Sequence, residues 1–298
     1  MARHASAAGR RIVAGIPTAW LIAWFVAPFL IVLAISFSHV RLAIPPFAPL
    51  VVWRRGWPVP ELHLTSYASL LRDPLYAAAL LYSLRVAAVA TLLTLLIGYP
   101  MAYAISRAAP ARRLVLLLLV MLPFWTSFLL RIYAWIGLLQ NDGIINHVLL
   151  FLGVIRHPIV MMQTDFSLYV GIVYGYLPYM VLPLYANLEK HDPALIEAAA
   201  DLGARPFTRF RRITLPQSLS GIAAGCLLVF IPAVGEYVVP ALLGRTDQLM
   251  IARVLSSEFF ENRDWPRASA VAVVMLMLLL VPIILLKRFE RRELGAGP

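Results

Sequence analysis

Long apolar runs limit the folds open to this chain of 298 residues. The first run, from Ile12 to Val40, contains no Asp, Glu, Lys or Arg. About 20 apolar residues in a helix cross the hydrocarbon core of a bilayer, whereas the apolar core of a signal peptide has only about 7–15. We therefore interpret this run as a membrane-spanning helix.

Five further runs predict an all-α, polytopic membrane protein with six spanning helices. The composition agrees, because 61% of the residues are hydrophobic and 14% are charged, against about 45–50% and about 25% in soluble proteins. The transmembrane domain is predicted at residues 12–288, between an N-terminal tail (1–11) and a C-terminal tail (289–298). An external loop is predicted at 38–75 and a second loop at 189–217. The predicted spans are residues 17–37, 76–106, 114–139, 166–188, 219–243 and 268–286.

The distribution of positive charge predicts how the spans are oriented. Six spans place both tails and the 189–217 loop on one side, together with the turn after the second span. That side carries 15 of the 26 Lys and Arg residues, the other side carries 9, and Arg85 and Arg131 lie within spans. Because Lys and Arg collect in cytoplasmic loops, we expect both termini and the 189–217 loop in the cytoplasm. The net charge of +11 is then a property of topology, and no nucleic-acid partner is expected.

The 189–217 loop contains a pattern that membrane insertion alone would not require. Asp192 and Pro193 predict the start of a helix, and Gly203 with Pro206 predicts its end. The face between them is narrow and made partly of alanine, so it suits a groove on another protein better than lipid. Its residues are Leu195, Ala198, Ala199 and Leu202.

Sites of enzymatic chemistry are not apparent in the sequence. It has no HExxH motif, no GxxxxGK[ST] phosphate loop and no clustered Cys and His residues. The single cysteine, Cys226, excludes an intramolecular disulfide. We therefore expect neither a metal nor a cofactor in this chain, and any ATP hydrolysis would need a separate subunit.

Glu236 is the only acidic residue predicted inside a span, where a charge is costly and marks a functional candidate. Pro232, Gly235 and Pro240 surround it and can open the helix. Two interpretations stay open: the carboxylate binds an amine cation beside aromatic rings, or it forms a structural ion pair with Arg131 or Arg85. The residues proposed to line the substrate pathway are Glu236, Tyr237, Phe230, Trp125, Tyr133 and Tyr174.

Two further features concern helix packing and partner binding. Gly221-x-x-x-Gly225 predicts close packing of membrane helices. The external segment from Glu258 to Pro266 combines acidic, basic and aromatic residues, and is either a docking surface for a soluble partner or a solvated loop. Its docking candidates are Glu258, Glu261, Asp264 and Trp265.

The loop also carries a resemblance to a known family. Glu197-Ala198-Ala199, Gly203, Ile213, Leu215 and Pro216 match the EAA-x3-G-x9-I-x-L-P signature of bacterial ABC importer permeases at every fixed position. The resemblance implies the type I permease fold with both termini inside, and a coupling helix seated on the ATP-hydrolysing subunit. The residues assigned to coupling are Glu197, Ala198, Ala199, Gly203, Arg205, Leu215 and Pro216.

Other stretches resemble the permeases of bacterial polyamine importers, those for putrescine most of all. They are residues 124–139, 230–237 and 262–266, the last leading into 268–272. The resemblance implies a multi-pass protein of the bacterial inner membrane that works with a second, different permease, two ATP-binding subunits using MgATP and a periplasmic binding protein. Spermidine, another small solute and a secondary transport mechanism stay open as alternatives, although no internal repeat typical of secondary transporters is visible.

Overall fold

The computed structural model describes the backbone of residues 7–54 and 56–295. The chain forms two compact units, Met1–Ala77 with Leu255–Leu278, and Ala78–Val254 with Leu279–Pro298. Most described residues are helical, in agreement with the predicted all-α fold.

The first described elements, from Ala7 onward, are a long helical segment and a small β-ribbon. A π-helical turn, Ile22–Val26, separates α1 from α2. The elements up to the second span are α1 (Ala7–Leu21), α2 (Ala27–Ser36), β1 (Val51–Arg54), β2 (Trp57–Pro60), α3 (Thr65–Arg72) and α4 (Pro74–Arg107).

The remaining elements are helices of very different length. A 3-10 turn, Leu122–Trp125, follows α5, and a π-helical turn, Phe210–Thr214, follows α10. The elements are α5 (Pro110–Met121), α6 (Phe128–Leu139), α7 (Ile144–Phe151), α8 (Asp165–Leu188), α9 (Pro193–Asp201), α10 (Pro206–Arg209), α11 (Leu215–Gln217), α12 (Leu219–Val234), α13 (Val238–Leu242), α14 (Ile251–Phe260) and α15 (Trp265–Gly295).

Four of the described helices are long and apolar enough to cross a membrane, and the number rises to six if two bent helix pairs each count as one span. The four are Gly15–Ser36, Pro74–Arg107, Asp165–Leu188 and Trp265–Ile284. The bent pairs are Pro110–Trp125 with Phe128–Phe151, at 90°, and Pro206–Gln217 with Leu219–Val234, at 64°. Each of the six predicted spans overlaps one of these segments.

The third predicted span, 114–139, is interrupted, which corrects its interpretation as one continuous helix. Pro123 has no N–H group and lies in the 3-10 turn that ends α5. Thr126 closes this turn with hydrogen bonds from its backbone N–H (3.2 Å) and its hydroxyl (2.7 Å) to the Pro123 carbonyl. Its backbone is extended, at φ −98° and ψ 156°. The chain therefore changes direction before α6 begins at Phe128.

Residues 38–75, predicted as an external loop, contain the only strands among the described residues. β1 and β2 pair antiparallel, with Val52 opposite Val59 and Arg54 opposite Trp57. Gly56 at the turn has φ +84°, which favours glycine. The all-α prediction therefore holds for the spanning segments, and the ribbon is an addition to it.

The core of the second unit lies where α8 packs on α12. Met180, Val181 and Leu184 of α8 are fully buried, together with Val229 of α12. A Cβ atom added at Gly225 would lie 2.7 Å from Met180 Sδ, and one at Gly221 would lie 2.7 Å from Asn187 Cβ. The two glycines let the helices approach this closely, and the prediction of close packing at this motif is confirmed.

Candidate functional site

Glu236 lies where its predicted span is broken. α12 ends at Val234, and α13 begins at Val238. Pro240 has no N–H to donate to the Glu236 carbonyl, so a continuous helix would lack one bond here. The break leaves the first N–H groups of α13 without helical partners. The Glu236 carboxylate accepts two of them, from Val238 N at 3.0 Å and Val239 N at 3.3 Å, both at Oε1.

The second carboxylate oxygen of Glu236 accepts a hydrogen bond from the Tyr176 hydroxyl. Tyr176 belongs to α8, close to the middle of that helix. Glu236 is 7% exposed, so three donors stabilise a carboxylate that is almost removed from solvent. Hydrogen bonds to the charged form are what a buried carboxylate requires in place of water.

The ion-pair interpretation of Glu236 is wrong, because among the described residues Glu236 pairs with neither Arg131 nor Arg85. Arg85 is exposed on α4. Arg131 lies on α6 with its guanidinium carbon 4.9 Å from the centre of the Phe124 ring and 5.4 Å from that of Phe128. Its Nε and Nη1 atoms are buried without a hydrogen-bond partner.

An open cavity of about 800 Å³ lies between α8 and α12. Its wall is apolar except for two tyrosines, Tyr176 and Tyr179, whose ring centres are 6.0 Å apart. Tyr179 also packs edge-on against Phe124, at 5.1 Å. The lining residues are Tyr176, Tyr179, Ala224, Leu227, Leu228, Ile231 and Pro232.

The structure does not gather the six predicted pathway residues at one place. Tyr174 lines a second cavity, of about 520 Å³, and packs edge-on against Trp135 at 5.5 Å. Trp125, Tyr133 and Tyr237 are exposed, and Phe230 is half-buried. Of the six, only Glu236 forms a hydrogen bond with Tyr176, and Tyr176 was not among the predicted pathway residues. No sequence signal joins these two residues, which are 60 positions apart.

The predicted cytoplasmic helix is α9, and its ends form as expected. Asp192 Oδ1 accepts a hydrogen bond from Ala194 N at 2.9 Å, which confirms the cap, and Pro193 is the first helical residue. Gly203 has φ +76°, which confirms that it ends the helix. Glu197, Ala198 and Arg205 are exposed and Ala199 is half-buried.

Large apolar residues of α9 and of the turn that follows it are exposed in the described part of the chain. Leu195 is 48% exposed, Leu202 is 88% exposed and Phe207 is 72% exposed. An apolar face this open, next to a helix capped at both ends, is available to another protein.

The rest of the loop is anchored to α4. Phe210 packs edge-on against Tyr99 at 5.8 Å and Tyr103 at 6.4 Å. The Tyr99 and Ser218 hydroxyl oxygens are 2.9 Å apart, within hydrogen-bonding distance. Leu215 is half-buried and Pro216 is exposed. The loop therefore consists of an exposed first part and a fixed second part.

Glu258 of the external segment is buried, although the sequence predicted it on an exposed docking surface. This residue is 6% exposed. Its carboxylate accepts hydrogen bonds from the Tyr76 hydroxyl at 2.6 Å and from Asn262 Nδ2 at 3.1 Å, and Arg267 Nη1 lies 3.8 Å away. The expectation that Glu258 is exposed is therefore wrong, because α14 turns it toward α4.

The other three docking candidates have different surroundings. Asp264 caps α15, since its Oδ1 accepts a hydrogen bond from Arg267 N at 3.0 Å. Trp265 stacks on Phe259, with ring centres 4.9 Å apart and an interplanar angle of 6°. Glu261 is exposed. Docking through this segment stays a prediction, and Glu261 is its accessible acidic residue.

Residues 94–294 match the family described as the inner membrane component of binding-protein-dependent transport systems. The chain is 40% identical to the spermidine/putrescine transport system permease protein PotB of Haemophilus influenzae, over 95% of this chain and 94% of that protein. It is 42% identical to PotB of Escherichia coli K12, over 76% of this chain and 82% of that protein.

Solved structures agree on the fold. A bacterial alginate ABC transporter, solved in complex with a pentasaccharide-bound periplasmic protein, contains a chain that superimposes with a TM-score of 0.67 at 17% identity. The match covers 97% of each chain. The predicted permease fold is therefore confirmed, as is the prediction of a transport component in place of an enzyme. The chain belongs to the family of inner membrane components of binding-protein-dependent transport systems, and is a multi-pass inner membrane protein.

Proposed function

We propose that this chain is a permease subunit of an ATP-driven importer that carries a polyamine into the cytoplasm, with putrescine as its principal substrate. The observation that supports this most is the 40% identity to a spermidine/putrescine permease over 95% of the chain. The buried carboxylate of Glu236 is consistent with it, because ionisable residues inside spans commonly mark substrate or ion pathways.

ATP hydrolysis takes place in separate subunits that bind MgATP, and α9 transmits their motion. The capped helix and its exposed apolar residues support this assignment. Glu197 and Arg205 make polar contacts with the ATPase groove, while Ala198 and Ala199 allow close approach. Gly203 permits the sharp exit of the chain at φ +76°.

The transport cycle alternates between outward-open and inward-open states. A loaded periplasmic binding protein docks on the external segment, where Glu261 is exposed. ATP binding closes the ATPases, and the permease accepts the cation from outside. Hydrolysis then resets the pathway toward the cytoplasm. The second permease is a different chain, as the resemblance to the polyamine importers implies.

Uptake by the purified full transporter in proteoliposomes tests the proposal. We expect uptake of labelled putrescine that requires two components. MgATP must be present on the side of the membrane that carries the ATPase subunits, and the loaded binding protein must be present on the opposite side. Uptake of spermidine alone would correct the principal substrate. Transport of another solute only, or uptake driven by an ion gradient without ATP, would contradict the proposed function.

A coupling variant tests the role of α9. Gly203→Asp places a side chain at a left-handed backbone position, so we expect insertion and assembly to persist while uptake per ATP hydrolysed falls by about tenfold or more. The matched control is Gly153→Asp, outside the 189–217 loop, at a position that also has a positive φ (+69°) and equally open space for an added Cβ. Equal uptake by Gly203→Asp and the wild type would exclude the coupling role.

A further inference from the structure

Glu236 is poorly placed to touch a substrate directly. Its side chain is almost buried, and three donors already occupy its two oxygens: Val238 N, Val239 N and the Tyr176 hydroxyl. The open cavity beside it is lined instead by Tyr176 and Tyr179. A cation entering this cavity meets aromatic rings before it meets the carboxylate.

We propose that Tyr176 and Tyr179 form the ammonium-binding surface of this permease, and that Glu236 acts through the hydroxyl of Tyr176. This inference rests on the proposed polyamine function. An ammonium group is attracted to the face of a tyrosine ring, most strongly where water is excluded. A carboxylate that accepts the hydrogen bond of the phenol pushes electron density into the ring and strengthens this attraction. Glu236 is thus a positioning residue.

The rest of the cavity suits the other part of such a ligand. Ala224, Leu227, Leu228 and Ile231 provide an apolar wall, which matches the methylene chain between two ammonium groups. The volume of about 800 Å³ lies within the range of about 300–1,000 Å³ that is usual for small-molecule sites. The cavity therefore combines an aromatic surface for the charge with an apolar surface for the chain.

Residues of opposite charge lie at the two ends of the row of aromatic side chains along the cavity. Arg131 packs on Phe124, Phe124 packs on Tyr179, Tyr179 neighbours Tyr176, and Tyr176 donates to Glu236. The row thus has a guanidinium at one end and a carboxylate at the other. A bound ammonium is repelled from the Arg131 end and attracted to the Glu236 end, so we place it closest to Tyr176.

Removal of one ring tests the aromatic surface. In proteoliposomes of the full transporter, Tyr179→Leu is expected to lower putrescine uptake per ATP hydrolysed by about three- to tenfold, the range of one cation–π contact at a partly exposed ring. Tyr179→Phe keeps the ring and is expected to restore most of that uptake. The matched control is Tyr169→Leu on the same helix, which lines the separate second cavity. Equal uptake by the two leucine variants would overturn the proposal.

Stepwise fluorination separates charge recognition from packing. Phenylalanine analogues with one, two and three ring fluorines at position 179 keep the shape of the ring while weakening its negative face. We expect uptake per ATP to fall with each fluorine. A flat response would show that the ring only fills space, and would overturn the proposal.

A double-mutant cycle tests whether Glu236 acts through Tyr176. Glu236→Gln and Tyr176→Phe are each expected to reduce uptake per ATP about tenfold, and the double variant is expected to be no worse than either. Losses that multiply in the double variant would mean that Glu236 contacts the substrate by itself, against the proposal.

A wild-type transporter that takes up no polyamine would overturn the proposed function as well. Polyamine uptake by the wild type together with equal uptake by Tyr179→Leu would overturn only this inference.

Discussion

Two predicted spans are interrupted, and each has an ionisable residue near the interruption. The two residues differ in how their charged groups are hydrogen-bonded. At the first, Arg131 follows the turn at Pro123, and its guanidinium packs on Phe124 and Phe128 while Nε and Nη1 have no hydrogen-bond partner. At the second, Glu236 follows Gly235, and both of its oxygens accept hydrogen bonds. One charge is held by rings alone and the other by three donors.

The difference shows that a charge inside a span does not have one structural meaning. A carboxylate can use the free N–H groups that a broken helix leaves at its next N-terminus, whereas a guanidinium can only donate and finds no such acceptors there. Glu236 is consequently part of the helix break itself. Arg131 rests against aromatic faces and can be removed without leaving an unpaired partner.

The largest expected effect is that of Glu236→Ala. The change leaves two backbone N–H groups and the Tyr176 hydroxyl without an acceptor in a nearly buried place, and we expect a loss of about 3 kcal/mol in the free energy of unfolding. Unfolding in mixed detergent micelles measures it. The exposed Glu261→Ala is the control, with an expected change below about 0.5 kcal/mol. A loss at position 236 no larger than that of the control would show that the hydrogen bonds of Glu236 do not stabilise the helix break, against the difference described between Glu236 and Arg131.

An intermediate effect is expected for Tyr176→Phe, which removes one hydrogen bond to a charged group. The expected loss is about 2 kcal/mol in the free energy of unfolding. Tyr179→Phe is the matched control on the same helix, because the Tyr179 hydroxyl has no hydrogen-bond partner among the described residues, and its loss should stay below about 0.5 kcal/mol. If both variants behave alike in the same unfolding measurement, the bond to Glu236 contributes nothing to stability.

The smallest effect is expected for Arg131→Met. The variant loses two ring contacts, each worth about 0.5–2 kcal/mol, but also relieves the cost of buried donors without acceptors, so we expect a net change below about 1 kcal/mol. Thermal unfolding of the purified permease, compared with Arg85→Met at an exposed position on α4, measures the difference. A loss as large as that of Glu236→Ala would show that Arg131 has an acceptor that fixes it as firmly as Glu236.

Local features of the chain were predictable because they depend on neighbouring residues. The cap at Asp192, the exit at Gly203 and the close packing at Gly221 and Gly225 each follow from residue types at fixed spacing. The turn that interrupts the third span also had a local signal in Pro123, but the apolar residues around it favoured a continuous helix.

Contacts between distant segments were not predictable in this way. Nothing near Tyr176 marks it as the donor to a carboxylate 60 positions away. Nothing near Glu258 marks Tyr76, which is 182 positions away, as its partner. A side chain that the sequence suggests is exposed can be buried by a helix from the other end of the chain, and only the packing of the helices decides this.

The close approach of α8 and α12 at Gly221 and Gly225 has a mechanical consequence. The 189–217 loop joins the ends of these two helices, so a force that a partner applied at α9 would reach both. Helices locked this tightly cannot slide past each other without opening their contact, and we expect them to swing as one lever. The cavity between them would then keep its width while its opening changes from one side of the membrane to the other. A bound molecule would cross the membrane without any compression of its binding site.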